Sequence, residues 1–279
     1  MRNWDQLLVL TSRQNPKLKE LFASTKASQA TKRGLILAEG SRQIATSLEV
    51  AKPLGLFFRD DKQGEACWKN LQEGIDQQLA ELCFRVESGL FNSLTATKSS
   101  QGVMALFQAP QLLNLSELPV TNRPERFLIL DSCQDPGNLG TMIRTVEGLG
   151  FDAMILLGDT VWPYNPKVLR AAMGSGLALP LFKVASVRDL AAFKARRPQL
   201  DFLAGDLGGE KLYQAPVGKQ GRGFALILGN EAHGISPDIK ELVDLSLSIP
   251  IQGEAESYNL AISCGIMAWY LSELYNFLL

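Results

Sequence analysis

Histidine is almost absent from this chain: His233 is the only one in 279 residues. The four cysteines, Cys67, Cys83, Cys133 and Cys264, stand far apart, and no C-x-x-C pair occurs. Zinc sites built from clustered Cys and His are thereby excluded, and no metal is expected. A disulfide framework is excluded as well, because such frameworks belong to small secreted chains; free, mostly buried thiols in a reducing cytoplasm are the expectation. Neither sign of charge is in excess. With 28 Lys/Arg against 29 Asp/Glu, the formal net charge is −1, so the totals announce no polyanionic partner. Long apolar runs are also missing, with one exception. Leu7–Leu10, flanked by Asp5 and Arg13, is too short for the apolar core of a signal peptide. Leu260–Leu279 reaches the length of a bilayer span, but Ser263, Ser272, Glu273 and Asn276 interrupt it and no basic flank follows. A helix buried in a core or a dimer interface is expected there, and no membrane contact.

What is present is ordinary globular composition, 46% hydrophobic and 20% charged, over a length that accommodates two domains. Residues 111–126, QLLNLSELPVTNRPER, break periodicity with two prolines and mixed polar residues, and read as a linker. Residues 1–110 then form one domain and residues 127–279 another. Charge is unevenly shared: residues 1–52 hold nine Lys/Arg and four Asp/Glu. Lys17, Lys19, Lys32, Arg33 and Arg42 belong to this excess, which suits a phosphate backbone as well as a solvated surface.

Both domains read as α/β. In the first, Asn15-Pro16 caps and opens a helix running to about Lys26. Gly34–Ala38, Leu54–Phe58, Leu82–Val86 and Val103–Phe107 read as strands; Ser41–Val50 and Glu65–Leu79 read as helices. In the second, apolar strands are expected at Phe127–Asp131, Ala153–Leu157, Leu181–Val184, Phe202–Gly205, Phe224–Leu228 and Leu247–Ile251. Helices are expected at Leu139–Leu149, Pro166–Met173 and Arg188–Arg196, with a long final one. Apolar strands separated by helices imply a parallel sheet covered on both faces.

Gly148-Leu149-Gly150-Phe151-Asp152-Ala153 fits the dinucleotide fingerprint G-x-G-x-x-A, but that fingerprint must follow a strand and open a helix. Here it ends a helix and enters a strand, so the glycines read as helix terminators and a nicotinamide cofactor is rejected. Three other segments carry chemistry. In Asp131–Gly150 the turn Asp135-Pro136-Gly137-Asn138 places Asn138 near a helix start with Arg144 further along, just beyond a strand's carboxyl end. Leu226–Ser236, LILGNEAHGIS, follows a buried strand; Gly229 allows close backbone approach and Glu231 offers an acceptor. His233 reads as a turn residue before Gly234, with general base as the competing role. Ile249–Cys264 leads through a glycine-containing loop to Ser257-Tyr258-Asn259, where either Ser257 or Asn259 can cap the last helix.

Together the three segments resemble the signature motifs of the SpoU (TrmH) branch of the SPOUT methyltransferases. The first is similar to Q-D-P-x-N-x-G-x-I-x-R-T, the second to L-G-x-E-x-x-G, and the third to I-P-x-x-G-x-x-x-S-L-N with Tyr258 in place of the usual Leu. Asn15–Lys19, Ala38–Arg42 and Gln101–Val103 resemble landmarks of a ribosomal-protein-like RNA-binding domain that many SpoU enzymes carry first. The resemblance implies transfer of a methyl group from S-adenosylmethionine to a ribose 2′-hydroxyl in RNA. Ribosomal RNA is favoured over tRNA because of the N-terminal domain; a non-catalytic ribosome-assembly factor is the other class. It implies a cofactor site at Gly229, Ile249, Ile251, Tyr258 and Leu260, and a catalytic group of Asn138, Arg144, Glu231, Ser257 and Asn259. Arg144 is implied as general base or as a fixed charge that stabilises the reacting oxygen; both roles stay open, since a guanidinium gives up its proton reluctantly. Leu169–Ser175 is similar to a stretch near the family's RNA site, which adds Arg170 to the RNA-binding residues. A homodimer is implied, for which Trp269, Tyr270, Leu274 and Phe277 on the last helix are suited. So is a trefoil knot, which pattern reading alone would never propose.

Overall fold

A computed structural model of the chain describes residues 3–94, 100–218 and 221–275. It divides into two compact units: Met1–Gln111 with Tyr164–Ala178, and Leu112–Pro163 with Leu179–Leu279.

The first unit follows the order β1 (Leu8–Leu10), α1 (Pro16–Ser24), α2 (Ala27–Arg33), β2 (Leu35–Glu39), α3 (Ser41–Val50), β3 (Lys52–Arg59), α4 (Lys62–Leu71), α5 (Gln77–Ala80), β4 (Cys83–Val86), α6 (Ser88–Asn92) and β5 (Val103–Gln108). Its mixed five-stranded sheet runs β1-β4-β3-β5-β2, with β5 antiparallel to both β2 and β3. Asn15 caps α1 through Lys17 N–H, with Pro16 at the first helical position. Two expected helices are shorter than the apolar pattern implied. The first ends at Ser24 and a new helix starts at Ala27. The stretch from Glu65 breaks after Leu71, because Asp76 accepts the N–H of Leu79 and so caps a fresh helix, α5. Phe57, Phe84, Phe91, Leu18, Leu21 and Met104 fill the core beneath α1.

The second unit contains β6 (Leu113–Asn114), β7 (Arg126–Asp131), α7 (Pro136–Gly148) and β8 (Ala153–Leu157). After α8 (Pro166–Ala172), which packs with the first unit on β2 and α2, come β9 (Leu181–Lys183), α9 (Val187–Ala195), β10 (Leu200–Lys211), β11 (Gly223–Leu228), α10 (Pro237–Lys240), β12 (Leu245–Ser248) and α11 (Leu260–Leu274). The sheet is seven-stranded, ordered β12-β10-β11-β7-β8-β9-β6, and among the described residues every strand pairing in it is parallel. All the residues of β8 and β11 are buried, as a sheet covered on both faces requires. Phe127, Phe193, Phe202, Ile129, Ile155 and Ile227 lead one core cluster.

The stretch from 111 to 126 is no free linker. Leu115 enters the core, and β6 pairs with β9. Arg197, 3% exposed, holds the segment: it donates to the carbonyls of Leu118 (3.3 Å) and Pro119 (2.7 Å) and to Glu125 Oε2 (3.1 Å), while stacking 4.2 Å from the Phe193 ring. Two further expectations shift. β10 runs on past Gly205 to Lys211 because its far end re-pairs with β12 across a bulge. Gly148 is still helical, and the left-handed residue after α7 is Gly150, with φ +73°. Among the described residues no helix is long and apolar enough to cross a membrane, and no group of three or more His, Cys, Asp or Glu is placed to hold a metal.

Candidate active site at the carboxyl edge of the parallel sheet

In strand order the chain steps outward from β7 through β8 to β9, then crosses to the other side of β7 for β10 and β11. Loops leaving β7 and β11 therefore diverge at a topological switch point, where open α/β sheets bind ligands. Leu130 lies beside Leu228, so the segments beginning at Asp131 and Gly229 leave the sheet side by side.

Local hydrogen bonds lock these loops. Asp131, 7% exposed, accepts the backbone N–H of Ser236 at 2.8 Å and the Ser132 hydroxyl at 3.1 Å. Its role is structural. Ser132 has φ +63°, a strained angle for a residue with a side chain, and it turns the chain sharply out of the sheet. Its carbonyl accepts Asn230 Nδ2 at 2.8 Å, while Asn230 Oδ1 accepts the N–H groups of Ala232 (2.9 Å) and His233 (3.2 Å). Asn230 also exchanges two backbone hydrogen bonds of 2.9 Å with Gly234. The loop folds tightly over Gly229, where a Cβ would lie 2.1 Å from the Gly234 carbonyl carbon. Only glycine fits.

A cavity of about 540 Å³ opens behind this loop, within the size range of small-molecule sites. Gly229, Glu231, Ile249, Ser257, Tyr258, Asn259 and Leu260 all line it; Ile251 does not. Tyr258 keeps its phenol in contact with the loop it closes, donating to the Pro250 carbonyl at 3.4 Å. The wall also carries a pair that sequence reading missed. Lys240 Nζ donates to Asp206 Oδ2 at 2.7 Å, and both residues face the cavity. Lys240 first, then the N–H of Gly208, hold the Asp206 carboxyl below the usual range. Asp206 follows the carboxyl end of the expected strand Phe202–Gly205, which was the available signal.

Three of the expected catalytic residues meet directly. Asn259 is the cap of α11, with Oδ1 accepting the N–H groups of Ala261 (2.9 Å) and Ile262 (3.3 Å). Its Nδ2 donates to Asn138 Oδ1 at 2.9 Å, and Asn138 Nδ2 donates to Glu231 Oε1 at 3.1 Å. Asn138 is the third residue of α7, whose cap is Asp135. Cys133 sits beneath, its thiol 3.9 Å from Glu231 Oε1; burial, then the Glu231 charge, push that thiol up to about 12. Arg144 stands apart on the exposed face of α7, with no hydrogen-bond or ion-pair partner among the described residues. A helix rises about 1.5 Å per residue, so Arg144 lies about 9 Å along the axis from Asn138. Ser257 lines the cavity but does not join the asparagine chain. His233 lines it as a turn residue, with Nδ1 3.3 Å from Asn230 Oδ1.

The expected RNA-binding residues Lys17, Lys19, Lys32, Arg33 and Arg42 are exposed on the first unit, as is Arg170 on α8 of that same unit. Lys17 also rests over the Phe84 ring at 4.8 Å, which limits its reach but leaves its charge in solvent.

Residues 125–269 match the SpoU rRNA Methylase family. The chain is 30% identical over 273 residues to the Bacillus subtilis protein named 23S rRNA (guanosine(2553)-2′-O)-methyltransferase RlmP, covering 94% of this chain and 98% of that one. A Neisseria meningitidis protein named 23S rRNA (guanosine-2′-O-)-methyltransferase RlmB is 27% identical, over 76% of this chain and 84% of that one. The crystal structure of AdoMet-bound rRNA methyltransferase from Sinorhizobium meliloti superposes with a TM-score of 0.81 at 27% identity, covering 98% of this chain and 99% of that one. A family match over half the chain, with a relative aligned along nearly all of it, makes this protein a member of the SpoU rRNA methylase family.

Proposed function

We propose that the protein transfers the methyl group of S-adenosylmethionine to a ribose 2′-hydroxyl of large-subunit ribosomal RNA. The observation that carries this reading is the hydrogen-bonded group Asn138–Glu231–Asn259 at the rim of a cavity on the sheet's carboxyl edge. The names of the Bacillus and Neisseria relatives support rRNA as the substrate class.

The cavity's chemistry fits the methyl donor. That molecule carries two positive groups and one carboxylate, and the wall offers the carboxylates of Asp206 and Glu231 beside the Lys240 ammonium. Gly229, Ile249, Tyr258 and Leu260 line the cavity, and in this reading their backbone groups read the adenine; Ile251 lies outside the wall. When bound, the sulfonium supplies an activated methyl group. The protein's contribution is to hold the ribose oxygen in line with it, which positioning alone makes worth about 7–11 kcal/mol in favourable cases. Arg144, with five donors and no partner among the described residues, is available to a phosphate or to charge developing on the ribose oxygen.

The first unit, which joins Tyr164–Ala178 to the expected domain of residues 1–110, is the RNA-docking part of this proposal, through Lys17, Lys19, Lys32, Arg33, Arg42 and Arg170. A homodimer belongs to it too. Ile262, Ile266 and Trp269 follow one another on a single exposed stripe of α11, which a second copy would cover. Tyr270 and Leu274 are half-buried within the unit, and Phe277 lies outside the described residues. The return of α11 from beside edge strand β12 to pack on α7 and β11 is, in this reading, the knotted passage that the family resemblance implied. A cytoplasmic site of action follows from the substrate.

The test is mapping of 2′-O-methyl groups in rRNA from cells with and without the gene, followed by in vitro methylation of the unmodified RNA. Loss of one ribose methyl group, restored by the protein and S-adenosylmethionine, is expected. An unchanged methylation map together with no transfer in vitro would overturn the assignment.

A further inference from the structure

We infer that Glu231 accepts the proton of the ribose 2′-hydroxyl, and that the start of α11 enforces this role through a one-way chain of hydrogen bonds from Asn259 through Asn138. The inference rests on the methyl-transfer reading above.

The direction of the chain is fixed at one end. An asparagine amide presents an acceptor oxygen and a donor nitrogen, and which is which normally has to be deduced from partners. Here the partners decide. Asn259 faces the N–H groups of Ala261 and Ile262, two of the unpaired donors at the start of a helix. Its oxygen must point at them, so its nitrogen points away and donates to Asn138 Oδ1. Asn138 in turn has only its nitrogen left to present, and donates to Glu231 Oε1. The chain therefore ends on an oxygen required to accept. Oε2 of the same carboxylate is left to face a hydroxyl donor.

Other groups nearby are committed elsewhere. Asp131 spends its oxygens on Ser236 N–H and Ser132 Oγ–H, and Asp135 spends Oδ1 capping α7 at Asn138 N–H. The His233 ring meets Asn230, not the chain. Arg144 is a cation with donors only, suited to stabilising charge and not to receiving a proton.

The step balances. The O2′–H bond breaks towards Glu231 Oε2 as the bond from O2′ to the methyl carbon forms. The methyl–sulfur bond breaks with its electron pair remaining on sulfur. The products are a 2′-O-methyl ribose, neutral S-adenosylhomocysteine and a carboxylic acid at Glu231, which releases its proton to water. Asn138 and Asn259 are positioning residues in this scheme.

Two measurements separate the claims. Glu231→Gln keeps an acceptor oxygen for Asn138 but cannot take a proton. At saturating S-adenosylmethionine, single-turnover methylation of an unmodified large-subunit rRNA transcript should fall at least about a hundredfold, the usual scale for losing a general base, with the melting temperature near wild type. The second measurement needs no activity. Asn259→Asp still caps α11 but cannot donate to Asn138, so Asn138 turns its oxygen towards Glu231 and the melting temperature drops. Combining Asn259→Asp with Glu231→Gln reverses the whole chain: the substituted amide nitrogen donates to Asn138, and the Asn138 nitrogen donates to the new carboxylate. Stability should recover while turnover stays lost, and the recovery should vanish when Asn138 is also replaced by Ala. Recovery that persists without Asn138 would be direct charge relief and would overturn the chain. Turnover of Glu231→Gln within tenfold of wild type would remove Glu231 as proton acceptor. Failure of the wild-type protein to bind the methyl donor or modify any rRNA would instead sink the proposed function, leaving the melting-temperature cycle to judge the chain.

Discussion

Replacing Gly229 by alanine should close the proposed cofactor cavity without unfolding the protein. The added Cβ would stand 2.1 Å from the Gly234 carbonyl carbon and 2.3 Å from both its oxygen and the Ile235 nitrogen. Non-bonded carbon atoms settle at roughly 3.5–4.0 Å, so the 230–235 loop must retreat by more than an ångström. That retreat pulls apart the two backbone hydrogen bonds between Asn230 and Gly234, at about 0.5–1.5 kcal/mol each. It also loosens the Asn230 side chain from the Ser132 carbonyl, a loss of similar size. The sum is about 2–4 kcal/mol, and because this loop is cavity wall, most of it should appear as weaker binding. At tenfold per 1.4 kcal/mol, S-adenosylmethionine affinity should fall about thirtyfold to about a thousandfold. Gly234→Ala is the natural control. Its φ is +68° but a Cβ there meets nothing within 4 Å, so it bears backbone strain alone, roughly 1–2 kcal/mol. Isothermal calorimetry with the methyl donor, alongside thermal melts, reads both variants. If Gly229→Ala binds within threefold of wild type, the close approach at Gly229 is not what shapes the site.

Arg144→Ala should lower single-turnover methylation by two to three orders of magnitude, about the loss expected for a transition-state charge contact, with methyl-donor affinity unchanged; Arg144→Lys should rescue little, since an ammonium cannot reproduce a planar fork. Near-normal turnover in Arg144→Ala would take the residue out of the reaction. Reversing Lys32 and Arg33 to Glu should weaken rRNA binding and flatten its dependence on salt, each phosphate contact contributing a slope of about 0.7–0.9; filter binding across a salt series checks this, and an unaltered slope would count against the docking role. Trp269→Asp on the exposed stripe of α11 should convert a dimer to monomer in sedimentation, and an unchanged sedimentation coefficient would place the interface elsewhere.

How much of this was legible in the sequence depended on distance along the chain. The cap at Asn15, the helix Ser41–Val50, the strand Ala153–Leu157 and the turn that starts α7 are set by neighbours a few residues away, and each was read nearly as found. Ser257 and Asn259 were rival caps for the last helix, and hydrogen-bond geometry settles it for Asn259. The reading failed where distant pairing overrides local preference. Gly208 and Gly209 argue against a strand, yet β10 continues through them because β12 lies alongside. Residues 111–126 look like a linker until Arg197, more than 70 residues later, gathers their carbonyls. Asp206 and Lys240 are 34 residues apart, and no spacing rule joins them. The motifs named the expected catalytic group, but the direction of its hydrogen bonds could be seen only once Asn259 was found capping α11.

The helix α8 sets a condition on how the chain is made. It is encoded after β7, α7 and β8, yet it packs on β2 and α2 of the first unit and buries Pro166, Val168, Leu169 and Ala172. Domains generally fold as units while the chain emerges from the ribosome. Here the N-terminal unit has to wait, with the surface meant for α8 uncovered, until the segment ending at Ala178 has been synthesised. By then four elements of the second unit, β6, β7, α7 and β8, are already outside and seeking partners. The same interleaving defeats simple dissection. A fragment ending at Gln111 lacks its last helix, and one beginning at Leu112 carries that helix with its apolar side turned to water.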